Sequence, residues 1–239
     1  MESKRVQSRD KKVKRKEILE KKKTIDELIK AASSQLDHLH SFTPFRHYQR
    51  NGLSVRLESG CGDKLSSPVK QYIQNLLMVN MEAPYGSEWP TEEKSKRREM
   101  VAPEARYLFV REAPIADGNG NAEDKGPMVG FVHYRFTLEE EVPVVYLYEL
   151  QLEPRVQGKG LGKFLMQLIE LIARKNRMGA VMLTVQKANL SAMNFYLSKL
   201  RYVISSISPS RVDPLTAVEK SYEILCKVFD DESKAVLEV

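Results

Sequence analysis

Arg155-Val-Gln-Gly-Lys-Gly-Leu-Gly-Lys163 sets three glycines at alternate positions between two runs of different character. Upstream, Val144-Val-Tyr-Leu-Tyr-Glu-Leu-Gln-Leu152 is rich in β-branched and aromatic residues and reads as a strand. Downstream, Phe164-Leu-Met-Gln-Leu-Ile-Glu-Leu-Ile172 repeats its apolar residues at helical intervals. A strand therefore feeds a glycine loop that opens a helix. Backbone N–H groups at a helix start, with no side chain in the way, form an anion cradle suited to a pyrophosphate. The same loop can also be a turn that lets strand and helix pack closely.

Spacing narrows the choice. A P-loop needs Ser or Thr after its lysine, but Gly162-Lys163 is followed by Phe164. A dinucleotide fingerprint spaces its glycines differently and places an acid about 20 residues on, at the end of the next strand. Here Met182-Leu-Thr-Val185 ends in no acid.

Composition sets outer limits. The 239 residues, 42% hydrophobic, suffice for one domain with a substantial core plus a tail. No apolar run approaches the roughly 18 residues that span a bilayer. Cys61 and Cys226 lack metal-ligand spacing and read as free thiols in a reducing compartment, so a cytosolic or nuclear protein is expected. The formal net charge of +6 is uneven. Residues 1–23 hold eleven Lys or Arg against four acids, which leaves the rest of the chain slightly acidic. Such a run is a nuclear-import or nucleic-acid contact, or else a solvated helix face. Ile18, Leu19, Ile25, Leu28 and Ile29 predict an amphipathic helix over about Lys11–Leu36 that docks on the domain.

Gln157, Gly160 and Gly162 match Gln-x-x-Gly-x-Gly, the coenzyme A loop of the GCN5-related N-acetyltransferase (GNAT) superfamily. Asn189-Leu-Ser-Ala-Met-Asn-Phe-Tyr196, after the strand Ala180–Val185, is similar to that superfamily's Asn-x-x-Ala-x-x-Phe-Tyr helix start. The chain is identified as a member of the superfamily over about Asn51–Lys227. The resemblance implies an α/β (α+β) GNAT fold: a mixed central sheet flanked by helices, with a basic helical extension at the N-terminus. It also implies acetyl-CoA as cosubstrate and no metal; the chain divides into residues 1–45, a basic helical extension, 46–228, the acetyltransferase domain, and 229–239, whose acidic composition predicts a disordered tail.

The remaining elements read in order as a strand Leu53–Leu57, a helix Ser67–Met81 with Pro68 in its first turn, and a charged helix Thr91–Met100. A hairpin of Arg106–Arg111 and Met128–Leu138 follows, joined by the glycine-rich loop Ala113–Pro127. Arg201–Ser205 and Ser221–Val228 are strand-like.

Further stretches point to the acceptor. Arg50-Asn-Gly-Leu53, Asn80-Met81 with Tyr85 and Ser87-Glu88-Trp89, Tyr146–Glu153, and Ser221–Leu225 resemble the histone-specific N-terminal acetyltransferases. That resemblance implies a substrate with a free α-amino group on Ser-Gly-Arg-Gly, as in histone 4 and histone 2A tails, and a nuclear and cytoplasmic monomer with no membrane role. It carries over Glu149 as general base acting through water, Tyr148 and Tyr146 as groups that bind the amine or order that water, and Tyr196 as the donor to the departing thiolate. Leu150, Gln151 and Leu152 are expected to hold the acetyl carbonyl and pantetheine arm by their backbone. Gly158, Lys159, Gly160, Leu161, Gly162 and Lys163 are expected to hold the pyrophosphate, and Asn189 to hydrogen-bond the coenzyme. Tyr85, Trp89, Thr137, Leu138, Glu139, Tyr146, Tyr148, Thr184 and Tyr222 are expected around the peptide. Two departures from the family stand out: Thr137 replaces an acid, and Gln157-Gly158 replaces a basic pair. No Ser-His-Asp or Cys-His pattern suggests a covalent intermediate, so direct attack of the amine is expected. A lysine or small-molecule acetyltransferase, or a noncatalytic chromatin-binding module, are the alternatives.

Overall fold

The computed structural model describes residues 2–113, 126–215 and 220–238, with side chains from Arg15 onward. Eight strands form one sheet: β1 (His47–Arg50), β2 (Leu53–Cys61), β3 (Arg106–Glu112), β4 (Met128–Glu139), β5 (Val142–Leu152), β6 (Ala180–Gln186), β7 (Val203–Ile204) and β8 (Tyr222–Val228). Their order is β1-β2-β3-β4-β5-β6-β8-β7. Every pairing is antiparallel except β5 with β6, the pair joined by a helical crossover.

Alternation along the strands feeds two layers. On β3, Leu108 and Val110 face a core shared with α4 (Leu161–Lys175), while Tyr107 and Phe109 pack with α2 (Ser67–Tyr85) and α3 (Trp89–Glu99). Helix α4 buries Leu161, Leu165, Met166, Leu168, Ile169, Ile172 and Ala173, the stripe expected from its periodicity. The mixed sheet between helices is the fold anticipated from sequence.

Among the described side chains, the N-terminal helix α1 (Glu2–Ser34) packs its apolar residues on the domain through its C-terminal part, while Lys21 and Lys22 pair with Glu232 and Glu141. Ala32 is buried, Leu28 and Ile29 lean on the same core, and the Arg106 guanidinium donates to the Ser33 carbonyl. Ile18 and Leu19, expected on the docked face, are instead 55% and 67% exposed. Strand β1, missed in the sequence, is four residues long and carries one buried side chain, Tyr48, which gives no readable alternation. The loop anticipated at Ala113–Pro127 lies largely outside the described residues.

The chain's end differs from the disordered tail expected of it. Asp231–Leu237 forms a helix, α7, capped by Asp230, whose carboxylate accepts from the Ser233 N–H at 2.8 Å. Leu237 is fully buried against Val142, Val144, Ala180, Met182 and Cys226, and its carbonyl accepts from Ser206 N–H and the Ser205 hydroxyl. Acidic composition masked one apolar anchor. Leu237→Ala should lower unfolding free energy by about 2–4 kcal/mol in denaturant titration, since a filled site with little room to collapse is emptied.

Candidate active site

The site begins with a strand defect. Along β4 and β5 the partners run His133 to Glu149 and then Tyr134 to Leu147, so Tyr148 is an extra, bulged residue on β5. A bulge upsets strict alternation and can turn consecutive side chains toward one side. Tyr148 stacks on His133 at 4.8 Å between ring centroids, and His133 stacks on Tyr107 beneath the α2–α3 layer. Glu149 reaches Lys96 on α3 of that same layer.

On the other side, the β5–β6 register ends at Leu147 opposite Leu183, although both strands continue. The strands part there, and a cavity of about 730 Å³ opens between them. It runs from Tyr85, Lys96, Tyr148 and Glu149 at one end to Gly158, Gly160, Gly162 and Lys163 at the other, with Leu150, Gln151, Leu152, Thr184, Asn189 and Tyr196 along its walls. Thirteen of the residues anticipated for chemistry, coenzyme or substrate therefore meet around one space.

The glycine loop is built for close backbone approach. Gly158 and Gly160 have φ of +72° and +87°, where a side chain is strained. A Cβ on Gly160 would also stand 2.8 Å from the Tyr48 hydroxyl. Gly160 is the N-cap of α4 and offers no side-chain cap, so the first-turn N–H groups of Leu161, Gly162 and Lys163 are left for an anion. Leu161 itself is buried and can serve only through its backbone. The Lys159 carbonyl accepts from Tyr48 Oη at 2.6 Å and Asn51 Nδ2 at 2.9 Å, which moors the loop to the first hairpin. Gln157 donates to the Leu152 carbonyl at 2.9 Å, and Asn80 donates to it at 3.1 Å. That carbonyl is thus committed within the protein. Asn189 acts locally as an N-cap, accepting from Ala192 N–H at 3.1 Å.

Polar side chains line the opposite end in a connected chain. Asn80 Nδ2 donates to Gln151 Oε1 at 2.9 Å, Gln151 Nε2 donates to Glu149 Oε2 at 2.8 Å, and Lys96 Nζ donates to Glu149 Oε1. Lys96 also lies 5.3 Å over the Tyr85 ring. Burial raises the Tyr85 phenol, and the same cause with the Glu149 charge raises that of Tyr196. Tyr196 stays protonated as a hydrogen-bond donor, held in a π-helical turn, Phe195–Lys199. His133 is pushed down to about 3 by burial and by Arg135 and is a neutral imidazole.

Tyr146 and Tyr222 do not line the cavity, and Tyr146 adjoins two residues that do, Thr184 and Tyr148. Tyr146 and Thr184 hydroxyls meet at 2.6 Å, and the Tyr146 and Tyr148 rings lie 5.5 Å apart, on one side as anticipated. Burial pushes the Tyr146 phenol up to about 12, against the Thr184 hydrogen bond, which lowers it. Thr137, Leu138 and Glu139 end β4 and do not line the cavity. Trp89, expected beside the peptide, packs instead in the core with Leu65, Ile73 and Leu76, behind Tyr85. The apolar indole is covered by helix-layer side chains that the sequence could not place. Lys96 and Tyr48 went unrecognised as functional, and Asn51 and Asn80 stood in resembling stretches without a role assigned; Lys96 sits in a helix where charge is the norm.

The Acetyltransferase (GNAT) family profile matches residues 72–200, and the chain belongs to that family. Among solved structures, the PaiA N-acetyltransferase of Thermoplasma acidophilum, in complex with coenzyme A, is similar at 17% identity and a TM-score of 0.50, covering 74% of this chain and 100% of its own. Arabidopsis thaliana Naa50 with a bisubstrate analogue shares 18% identity at a TM-score of 0.45, covering 73% of this chain and 99% of its own. Acetyl-CoA is the cosubstrate, and the protein is an acetyl-CoA-dependent transferase. The loop fits the coenzyme: glycines leave backbone N–H groups bare at a helix start, and Gly160 occupies space a side chain would fill. Bound acetyl-CoA would supply the activated acetyl group. Among the described residues no cluster of His, Cys, Asp or Glu suited to a metal occurs, and no helix is long and apolar enough to cross a membrane.

Proposed function

We propose that this chain transfers acetyl to the α-amino group of proteins that begin Ser-Gly-Arg-Gly, the start of histone 4 and histone 2A, in the manner of N-alpha-acetyltransferase 40 (NatD). The observation that carries the reading is the meeting of Tyr85, Tyr148, Glu149 and Thr184 at one end of the cavity whose other end is the coenzyme loop. A small first residue enters between the tyrosines, and Glu139, beyond Tyr146, faces the basic third residue. Thr137 in place of an acid leaves that grip to fewer charges. An α-amine has a pKa of about 7.7–8.0, so roughly a tenth to a sixth is neutral at pH 7 and able to attack the thioester. Glu149 accepts through water the proton that the attacking amine must shed, and Tyr196 donates to the thiolate as it departs. The basic residues of α1 would bring the enzyme to chromatin or the nucleus, and a monomer suffices, since every proposed group comes from one chain.

Acetyl-CoA carrying a labelled acetyl group should modify a Ser-Gly-Arg-Gly-Lys peptide with a free amino terminus and leave its N-blocked counterpart unlabelled. Equal labelling of the two would assign the enzyme to lysine side chains. No labelling of either, with retained coenzyme binding, would point to a small-molecule acceptor.

A further inference from the structure

Lys96 is a cation buried at the reacting end of the cavity, 11% exposed, against a carboxylate that is 7% exposed. Burying such a pair is costly, and removing one member strands the other. Nothing in the fold requires a lysine here: α3 already packs through Trp89 and the capping and core contacts around it. The pair also occupies both oxygens of Glu149, Lys96 on Oε1 and Gln151 on Oε2.

The surrounding charges balance. From α3 come Lys96 and Glu99, and from β4 come Arg135 and His133. Tyr85 of α2, Tyr107 of β3 and Tyr196 feel the same carboxylate, Tyr148 of β5 lies by Arg135, and burial keeps each phenol protonated. With His133 neutral, Lys96 and Arg135 stand against Glu149 and Glu99. Arg135 lies 4.3 Å over the Tyr148 ring and donates to the Glu99 carbonyl at 2.7 Å.

We propose that Lys96 is a positioning and specificity residue: it holds Glu149 ionised and oriented before the acceptor arrives, and its charge makes the site admit an amine in its neutral form. This rests on Glu149 being the base proposed above. An arriving ammonium finds no unpaired negative charge there and meets a fixed cation. A lysine ε-amine, with a pKa of about 10.4, is neutral in only about one molecule in 2,500 at pH 7, whereas an α-amine is neutral in about one in six to ten. The device thus favours a chain terminus over an internal lysine.

The test uses the full chain with Lys96→Met and Lys96→Arg. Carbon-13 NMR of glutamate carboxyls, with Glu149→Gln to assign the resonance, follows the Glu149 titration directly. In Lys96→Met the buried carboxylate loses its cation, so this resonance should titrate at higher pH than in wild type, while Lys96→Arg should leave it where wild type has it. The ratio of rates on a free-terminus peptide over an N-blocked, lysine-containing peptide should fall about tenfold or more in Lys96→Met and survive in Lys96→Arg. Calorimetric binding of coenzyme A, carried by the glycine loop, certifies that each variant is folded. An unmoved Glu149 titration in folded Lys96→Met would overturn the proposal. Wild-type protein that labels both peptides equally would defeat the N-terminal reading alone, because the titration tests Lys96 whichever acceptor is used.

Discussion

Glu149→Gln should lower kcat by about 10²–10⁴-fold while leaving coenzyme A affinity nearly unchanged. Gln is close in shape to Glu, and its single amide oxygen can still accept from Lys96 or from Gln151, so the cavity keeps its form at the loss of one hydrogen bond. What it lacks is the charge that receives a proton. The backbone N–H groups of the Gly158–Lys163 loop, which would hold the coenzyme, lie at the other end of the cavity, and the substitution does not touch them. Steady-state kinetics at saturating acetyl-CoA, with calorimetry on coenzyme A alone, separates the two effects. A kcat within about threefold of wild type would remove Glu149 from the base role, since general-base catalysis is worth at least about a hundredfold. The loss should not be recovered at higher pH as far as the α-amine's own ionisation allows, because Gln cannot be deprotonated into a base.

Gly160→Val should act on the opposite half of the reaction, raising the KM for acetyl-CoA about tenfold or more with a smaller change in kcat. Two costs add. At φ +87° a β-branched residue pays roughly 1–2 kcal/mol relative to glycine, and each 1.4 kcal/mol is about tenfold in binding. The new side chain also meets the Tyr48 hydroxyl at 2.8 Å, so the mooring of the Lys159 carbonyl must break or the loop must shift. Gly158→Val separates these causes, because φ there is also positive but no atom lies within 4 Å of its Cβ. It should cost only the backbone strain. Direct titration with coenzyme A gives the readout. Equal, wild-type affinity in both would show that the loop does not carry the pyrophosphate.

The family was legible in the chain because its marks are local. Gln157, Gly160 and Gly162 must follow one another at a helix start, and Asn189 to Tyr196 must open the helix after β6; both needs are written as spacing along the sequence. The periodic stripe of α4 and the alternation of β3 through β6 follow from the same short-range geometry, so the order of elements could be read before any contact was known. The coenzyme end of the site came with them.

The acceptor end could not be read in full, because it is made by elements far apart in the chain. Lys96 and Glu149 are 53 residues apart and meet only when α3 packs under β5. Tyr48 and Asn51 reach the loop from more than 100 residues away. Trp89 became core and Leu237 an anchor because burial depends on what the rest of the fold lays over a residue, not on its neighbours in sequence. The bulge at Tyr148 was likewise decided by how β4 pairs with β5, and with it the company of Tyr148 and Glu149. Spacing alone marked the acetyl donor; the meeting of Lys96 with Glu149 was decided only by tertiary packing, since a charge acts through space and its partner can come from anywhere in the chain.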